Sequence, residues 1–315
     1  MTMADDDRLA IPQAGGHSGW IDLDGPVHYL DYGGPPGAPL MVCVHGLGGS
    51  AVNWAAIAPL LTGRYRMLAP DLAGHGRTES AGRGTGVAAN RVLLHRFIEA
   101  MSASPVILMG NSMGGMISLL EASAAPSAVA GLILLDPALP FGPARPDPVV
   151  TTMFAMYLTP GLGRLISGRR RRMSPELLVA AVLSLCCVDP SQVPADVVAL
   201  HVAVAREHAE FADVERDFTA AARSVVATAG YVRSAPYRRA IRSIKVPVLL
   251  VHGARDRLVP VAAARAAARA NPSWTLVVLF NVGHVPQLEA PRDTARAITG
   301  WLGSLGPRAV ESATG

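Results

Sequence analysis

Gly110-Asn111-Ser112-Met113-Gly114-Gly115 is the stretch from which the rest of this chain can be read. Before it runs Pro105-Val106-Ile107-Leu108-Met109, short, apolar, partly β-branched and closed by glycine. Such a run reads as a buried parallel strand. After it, Met116, Leu119 and Leu120 keep helical spacing, so Ser112 to Ala124 reads as a helix. A strand that turns straight into a helix at Gly-x-Ser-x-Gly is a nucleophile elbow. Glycine at 110 and 114 leaves room for a tight, strained turn that lifts the Ser112 hydroxyl clear of the sheet. The helix N-terminus then points free N–H groups at any oxyanion formed there. A glycine-rich turn without chemistry has the same letters, so the remaining chain must decide.

A nucleophilic serine needs a base, and the base needs an orienting acid. Around such an elbow they follow in the order Ser, Asp or Glu, His. Val246-Pro247-Val248-Leu249-Leu250-Val251-His252-Gly253 reads as a second buried strand, and Asp256 lies in the loop after it. Thr275-Leu276-Val277-Val278-Leu279-Phe280 reads as a third, followed by Asn281-Val282-Gly283-His284-Val285-Pro286. Parallel strands put both loops at the carboxyl edge that carries Ser112. Ser112 is therefore the candidate nucleophile, His284 the base and Asp256 the acid. Asp136 ends another expected strand and is the rival acid; its bland role is capping the turn at Pro137. For Asp256 the bland role is a surface pair with Arg255 or Arg257.

Leu40-Met41-Val42-Cys43-Val44 reads as a strand and runs into His45-Gly46-Leu47-Gly48-Gly49-Ser50. With the elbow, with Asp71-Leu72-Ala73-Gly74-His75-Gly76-Arg77 and with Gly283-His284-x-Pro286-x-x-Glu289, this loop resembles the α/β-hydrolase superfamily in its cap-bearing branch. The resemblance covers nearly the whole chain apart from the tails. It implies an α/β fold, a mostly parallel eight-stranded sheet flanked by helices, with a helical cap. It also implies an oxyanion hole made by the N–H groups of Leu47 and Met113. Serine at the elbow argues against the family's haloalkane dehalogenases and epoxide hydrolases, which use aspartate there.

The organisation agrees with one large α/β domain and an insertion. Residues 1–18 and 307–315 read as loose tails, 19–137 and 241–306 as the core, and 138–240 as the cap. Residues 19–32 read as a β-hairpin around Asp24-Gly25. Leu94, Ile98 and Met101 form the stripe of one covering helix. Within the insertion, Ser174-Pro175-Glu176 looks like an N-cap followed by proline at the first helical position. It opens the run from Leu177 to Cys187, apolar on nearly every side, which is expected to be buried against something. Another helix begins near Pro194 and carries Val197, Leu200, His201 and Val204. A cap over the core leaves an apolar cleft above the serine. Its expected lining is Gly46, Asn111, Leu139, Phe154, Tyr157, Leu183 and Val285.

Half of the residues are hydrophobic and 17% are charged, so a sizeable core is available. The net charge of +4 comes almost entirely from arginine, Lys245 being the single lysine. No basic stripe interleaved with aromatics suggests nucleic acid. Arg169-Arg170-Arg171-Arg172 reads as a solvated loop or as contact with an anionic lipid surface or an acidic substrate group. The three cysteines suggest no disulfide framework. The acidic N-terminus has no apolar core of a signal peptide, and no apolar stretch suffices for a membrane span. A cytoplasmic location is expected. His45, His75 and His252 lie in Gly-flanked turns and read as structural. No metal-ligand spacing and no dinucleotide-binding glycine pattern is present, so neither metal nor cofactor is expected.

The expected activity is hydrolysis of carboxylic esters with apolar acyl or alcohol groups through an acyl-enzyme. Two alternatives stand beside it. One is carbon–carbon bond hydrolysis of ring-fission vinylogous diketones, a group that Asn111 and Met113-Gly114-Gly115 resemble but Val285 does not. The other is a non-catalytic member that binds a hydrophobic ligand.

Overall fold

The computed structural model describes residues 15–140, 147–159, 173–230 and 234–305. Eight strands form one sheet: β1 (His17–Asp22), β2 (Pro26–Gly33), β3 (Leu40–Val44), β4 (Arg66–Pro70), β5 (Val106–Asn111), β6 (Val129–Leu135), β7 (Val248–Gly253) and β8 (Thr275–Leu279). Their spatial order is β1-β2-β4-β3-β5-β6-β7-β8. β1 and β2 form the expected hairpin, whose turn uses positive φ at Asp24 and Gly25. β2 pairs antiparallel with β4, and every pairing from β4 through β3 to β8 is parallel.

The central strands read as unbroken apolar runs because both faces of the sheet are covered. Successive side chains point to opposite faces. Val42, Leu108, Leu132, Leu134 and Leu250 join the core layer under α1 (Val87–Met101) and α2 (Met113–Ala124). Met41, Ile107, Met109, Ile133 and Leu249 join the opposite layer. Ile298, Trp301 and Leu302 of the C-terminal helix (Pro291–Ser304) close that second layer.

Between β6 and β7 lie α3 (Pro148–Leu158), α4 (Pro175–Cys186), α5 (Ala195–His208), α6 (Val214–Ala229) and α7 (Ala235–Ser243). Ser174 caps α4 by accepting the Leu177 N–H, and Pro175 follows at the first helical position. α4 is buried along one face only. Val179, Leu183 and Cys187 are buried along one stripe, while Leu177 is 61% and Val182 44% exposed. The helix lies on the outside of the insertion, so one face suffices for its packing. The expected domain boundary at 240 falls inside α7, whose Tyr237 and Ile241 are buried in the layer of α2. Arg169 to Arg172 lie outside the described residues. Among the described residues, no helix is long and apolar enough to cross a membrane.

Candidate active site

The elbow forms where β5 meets α2. Ser112 adopts φ 53° and ψ −117°, a conformation that non-glycine residues avoid. The turn is possible because its neighbours have no side chain. A Cβ on Gly114 would lie 2.0 Å from the Val44 carbonyl oxygen, and one on Gly110 2.6 Å from that of Gly114. The β3 loop therefore packs directly on the elbow. A Cβ on Gly46 would meet the Ser112 Cβ at 3.1 Å. This contact brings Leu47 beside the serine. The Met113 N–H is the first of its helix and has no intrahelical acceptor. The Leu47 N–H donates to no other backbone group among the described residues.

The loops after β7 and β8 supply the other two groups. His284 Nδ1 and Asp256 Oδ2 are 2.8 Å apart, and both residues are buried. The other Asp256 oxygen accepts the N–H groups of Leu258 and Val259 at 2.8 and 3.0 Å. Burial pushes the Asp256 carboxyl up. The charge and hydrogen bond of His284, the His252 charge and the Val259 N–H outweigh it, and the net value falls below the usual one. No pair with Arg255 or Arg257 forms; Arg257 instead reaches Asp147. The far nitrogen of His284, Nε2, is buried with no partner among the described residues.

Three contacts hold the histidine loop in place. Asn111 donates its side-chain amide to the carbonyls of Leu135 and His284, at 2.9 and 3.0 Å. The His284 N–H donates to the Cys186 carbonyl at the end of α4, 2.7 Å away. Glu289 takes the N–H groups of Val188 and Asp189 on one oxygen and that of Gly283 on the other. The insertion is thus fastened to the loop that carries His284. Sequence reasoning noted Glu289 only as the end of a motif. The carboxylate among three N–H donors could not be inferred from spacing.

The expected cleft residues are distributed unevenly. Gly46 adjoins Ser112. Asn111 is buried, with its amide committed to two carbonyls, so it is placed to tether the His284 loop and not to touch a ligand. Leu139 is packed in the layer of α2. Leu183 of α4 and Val285 of the histidine loop share the other layer with Leu200 and Val204 of α5, so the insertion and core meet there. The side chains of Phe154 and Tyr157 lie outside the described residues.

His45, His75 and His252 are structural in geometry. His45 Nε2 accepts the Leu72 N–H at 3.0 Å, His75 Nδ1 lies 3.1 Å from the Ala73 carbonyl, and His252 Nε2 lies 2.9 Å from that of Val259. Burial lowers the pKa of all three, that of His75 to about 3. Asp136 does not cap the turn at Pro137; it accepts the Gly253 N–H at 2.9 Å.

A second Ser–His–Asp chain exists at the opposite edge of the sheet. Ser18 Oγ is 2.7 Å from His28 Nε2, and His28 Nδ1 is 2.7 Å from Asp71. Asp71 also accepts the N–H groups of Ala51 and Arg77. Ser18 sits on the exposed edge strand β1, without an elbow or a helix N-terminus beside it. This chain fastens the hairpin to the loop after β4.

The model of the "Alpha/beta hydrolase family" matches residues 41–297. The chain belongs to that family. It is a hydrolase. It is 28% identical over 279 residues to the dihydrolipoyllysine-residue acetyltransferase component of the acetoin cleaving system of Pseudomonas putida. That match covers 88% of this chain and 66% of that protein, so the chain spans just under two thirds of its length. It is 26% identical over 274 residues to Lipase 1 of Psychrobacter immobilis, covering 85% of this chain and 77% of that one. Among solved structures, Cfl2 of Burkholderia cenocepacia has a TM-score of 0.76 at 24% identity. It covers 92% of this chain and 97% of its own, and it is a likeness of fold.

Proposed function

We propose that this hydrolase cleaves carboxylic esters with apolar acyl or alcohol groups through a Ser112-His284-Asp256 triad. The observation that carries the reading is the state of His284. Its Nδ1 is engaged by Asp256 at 2.8 Å, while its Nε2 is buried and unpartnered in the loop that Asn111 ties to the elbow. That leaves Nε2 as the nitrogen available to take a proton from Ser112.

Asp256 holds the imidazole in the tautomer with hydrogen on Nδ1 and stabilises the imidazolium formed later. Ser112 Oγ attacks the ester carbonyl as Nε2 takes its proton. The oxyanion is received by the N–H groups of Leu47 and Met113. The imidazolium returns its proton to the alcohol, which leaves, and an acyl-enzyme remains. Water then repeats the sequence, activated by His284, and releases the acid. Every group these steps require is on the chain, so the reaction needs no cofactor. The helices between β6 and β7 act as a cap, and the Leu183–Val285 seam supplies apolar surface. The lipase name of the Psychrobacter relative agrees with such a substrate.

The deciding experiment is a panel of p-nitrophenyl esters of graded chain length beside a ring-fission dienoate. Ester turnover that rises with chain length supports the reading. Rapid cleavage of the dienoate with a flat ester profile overturns it in favour of carbon–carbon hydrolysis. Tight binding of a hydrophobic ligand with no turnover of either substrate leaves only the receptor alternative.

A further inference from the structure

Two buried carboxyl groups meet behind His284, and only one of them faces it. Asp136 directly follows β6, at φ 44°, and is fully buried. Its Oδ1 accepts the Gly253 N–H at 2.9 Å, and its Oδ2 is buried with no donor to receive. Asp256 has three donors: the N–H groups of Leu258 and Val259 on one oxygen, and His284 on the other. A carboxylate oxygen of each residue and a ring nitrogen of His252 lie within 4.8 Å of one another.

His252 does not neutralise this pair. Its Nε2 is 3.4 Å from Asp136 Oδ1 and 3.4 Å from Asp256 Oδ2, but 2.9 Å from the Val259 carbonyl. A carbonyl only accepts, so the ring hydrogen on Nε2 is directed there. Two carboxylates side by side in the interior cannot both keep their charge at low cost; one binds a proton. Donors favour the ionised form, and Asp256 has three where Asp136 has one. The bare Oδ2 of Asp136 is where a proton has room.

We infer that Asp136 carries a proton on Oδ2 at neutral pH and donates it in a hydrogen bond to the Asp256 carboxylate. The acid behind His284 is then one half of a carboxylic acid–carboxylate pair. Asp136 is a positioning residue: it touches no substrate, it restrains the plane of Asp256 and it withdraws charge from it. The surroundings agree. Burial, the Asp256 charge and the hydrogen bond to Asp256 all raise the Asp136 carboxyl well above its ordinary value. The other titratable groups facing the pair are His252 from β7, His284 and Glu289 from the histidine loop, and Cys186 from the end of α4. Burial followed by the charges of Asp256, Glu289 and Asp136 pushes the Cys186 thiol up to about 12. None of these groups supplies a fixed positive charge.

The catalytic consequence rests on Asp256 being the partner of His284 in the reaction proposed above; the proton itself is testable without turnover. Asp136→Asn is the informative variant. Asparagine tolerates positive φ, accepts the Gly253 N–H and donates to Asp256. Infrared spectra of the full chain at neutral pH should show a protonated-carboxyl carbonyl band that is missing from Asp136→Asn. Identical carboxyl regions in the two proteins overturn the proposal, whether or not any ester is hydrolysed. The pH profile of kcat/KM on a p-nitrophenyl ester gives the second reading. In Asp136→Asn one neutral donor replaces another, so the acid limb keeps its place. In Asp136→Ala the donor is lost, the Asp256 carboxylate becomes more basic and pairs more strongly with the imidazolium, and the acid limb moves up by roughly half a unit or more. A downward move in Asp136→Asn, the mark of a lost negative charge, overturns the proposal. Should Asp136→Ala melt below the assay temperature, the infrared comparison still decides.

Discussion

The side-chain amide of Asn111 lies 3.0 Å from the backbone carbonyl of His284, so the residue before Ser112 holds the loop that carries His284. The same amide reaches the Leu135 carbonyl at the end of β6. One buried side chain thereby ties three strand ends together.

Removing that tie should misplace the base while leaving the serine untouched. Asn111→Ala leaves the His284 carbonyl without its donor, while the Leu135 carbonyl keeps the Ser112 N–H, at a cost of about 1–3 kcal/mol of stability. Displacement of His284 should lower kcat by on the order of 10²-fold. Asn111→Asp should be worse, because it sets a carboxylate against the two carbonyls. Thermal melts beside steady-state kinetics check both, and full activity in Asn111→Ala would remove the tether from the mechanism.

Ser112→Ala should abolish turnover and labelling by a fluorophosphonate probe with the fold intact. Ser18→Ala should change neither. The His28–Asp71 distance of 2.7 Å is comparable to the 2.8 Å between His284 and Asp256, which makes the pair of variants a test of what the elbow adds. Labelling that persists in Ser112→Ala and disappears in Ser18→Ala would reverse the assignment.

Loss of the acid should be expensive. Asp256→Asn presents the wrong partner to Nδ1, and the chemical rate should fall by about 10⁴-fold. The corresponding loss in Asp136→Asn should be far smaller. Single-turnover rates on an activated ester separate the two, and the opposite order would make Asp136 the partner of His284.

Substrate length should register in the seam around Leu183. Each further buried methylene should contribute ~0.8 kcal/mol to transition-state binding until the cleft is full. Leu183→Ser should flatten that trend while sparing acetyl esters. A trend unchanged by Leu183→Ser in a protein that stays folded would move the acyl group elsewhere.

The sheet and the order of serine, acid and histidine were legible because each rests on short-range pattern. Strands covered on both faces read as continuous apolar runs, and loops after parallel strands share one edge. What was not legible depends on where distant segments come to rest. Asn111 was read as lining a cleft, because nothing in its neighbours tells which carbonyls its amide will meet. The run from Leu177 to Cys187 calls for burial against something without saying which side, because periodicity reports apolar faces and not which of them find a partner. Asp136 and Asp256 stood as rivals in sequence; only the pairing of β6 with β7 sets them side by side.

Acid should weaken the protein through Asp71. Burial pushes its carboxyl up. The hydrogen bond and charge of His28, the His45 charge and the Arg77 N–H outweigh it and hold it at about 2, against an ordinary value of 3.8. A depressed folded value stabilises above the unfolded one and is lost as pH falls through the folded one. The contribution is on the order of 2 kcal/mol at neutral pH and should fade between pH 3.8 and about 2. Denaturant unfolding across that window should show a smaller decline in Asp71→Asn than in the parent. Equal declines would place the acid sensitivity in other groups.

The fastening of the insertion to the histidine loop bears on how such a protein can be remodelled by evolution or by design. The Cys186 carbonyl receives the His284 N–H, and Glu289 grips Val188, Asp189 and Gly283 together. The stretch between β6 and β7 is therefore not an interchangeable part. A segment grafted from a relative would bring a new ceiling for the ligand and also a new seat for the imidazole. A graft that omits either the chain reversal after α4 or its glutamate partner would inherit the substrate preference and forfeit the chemistry.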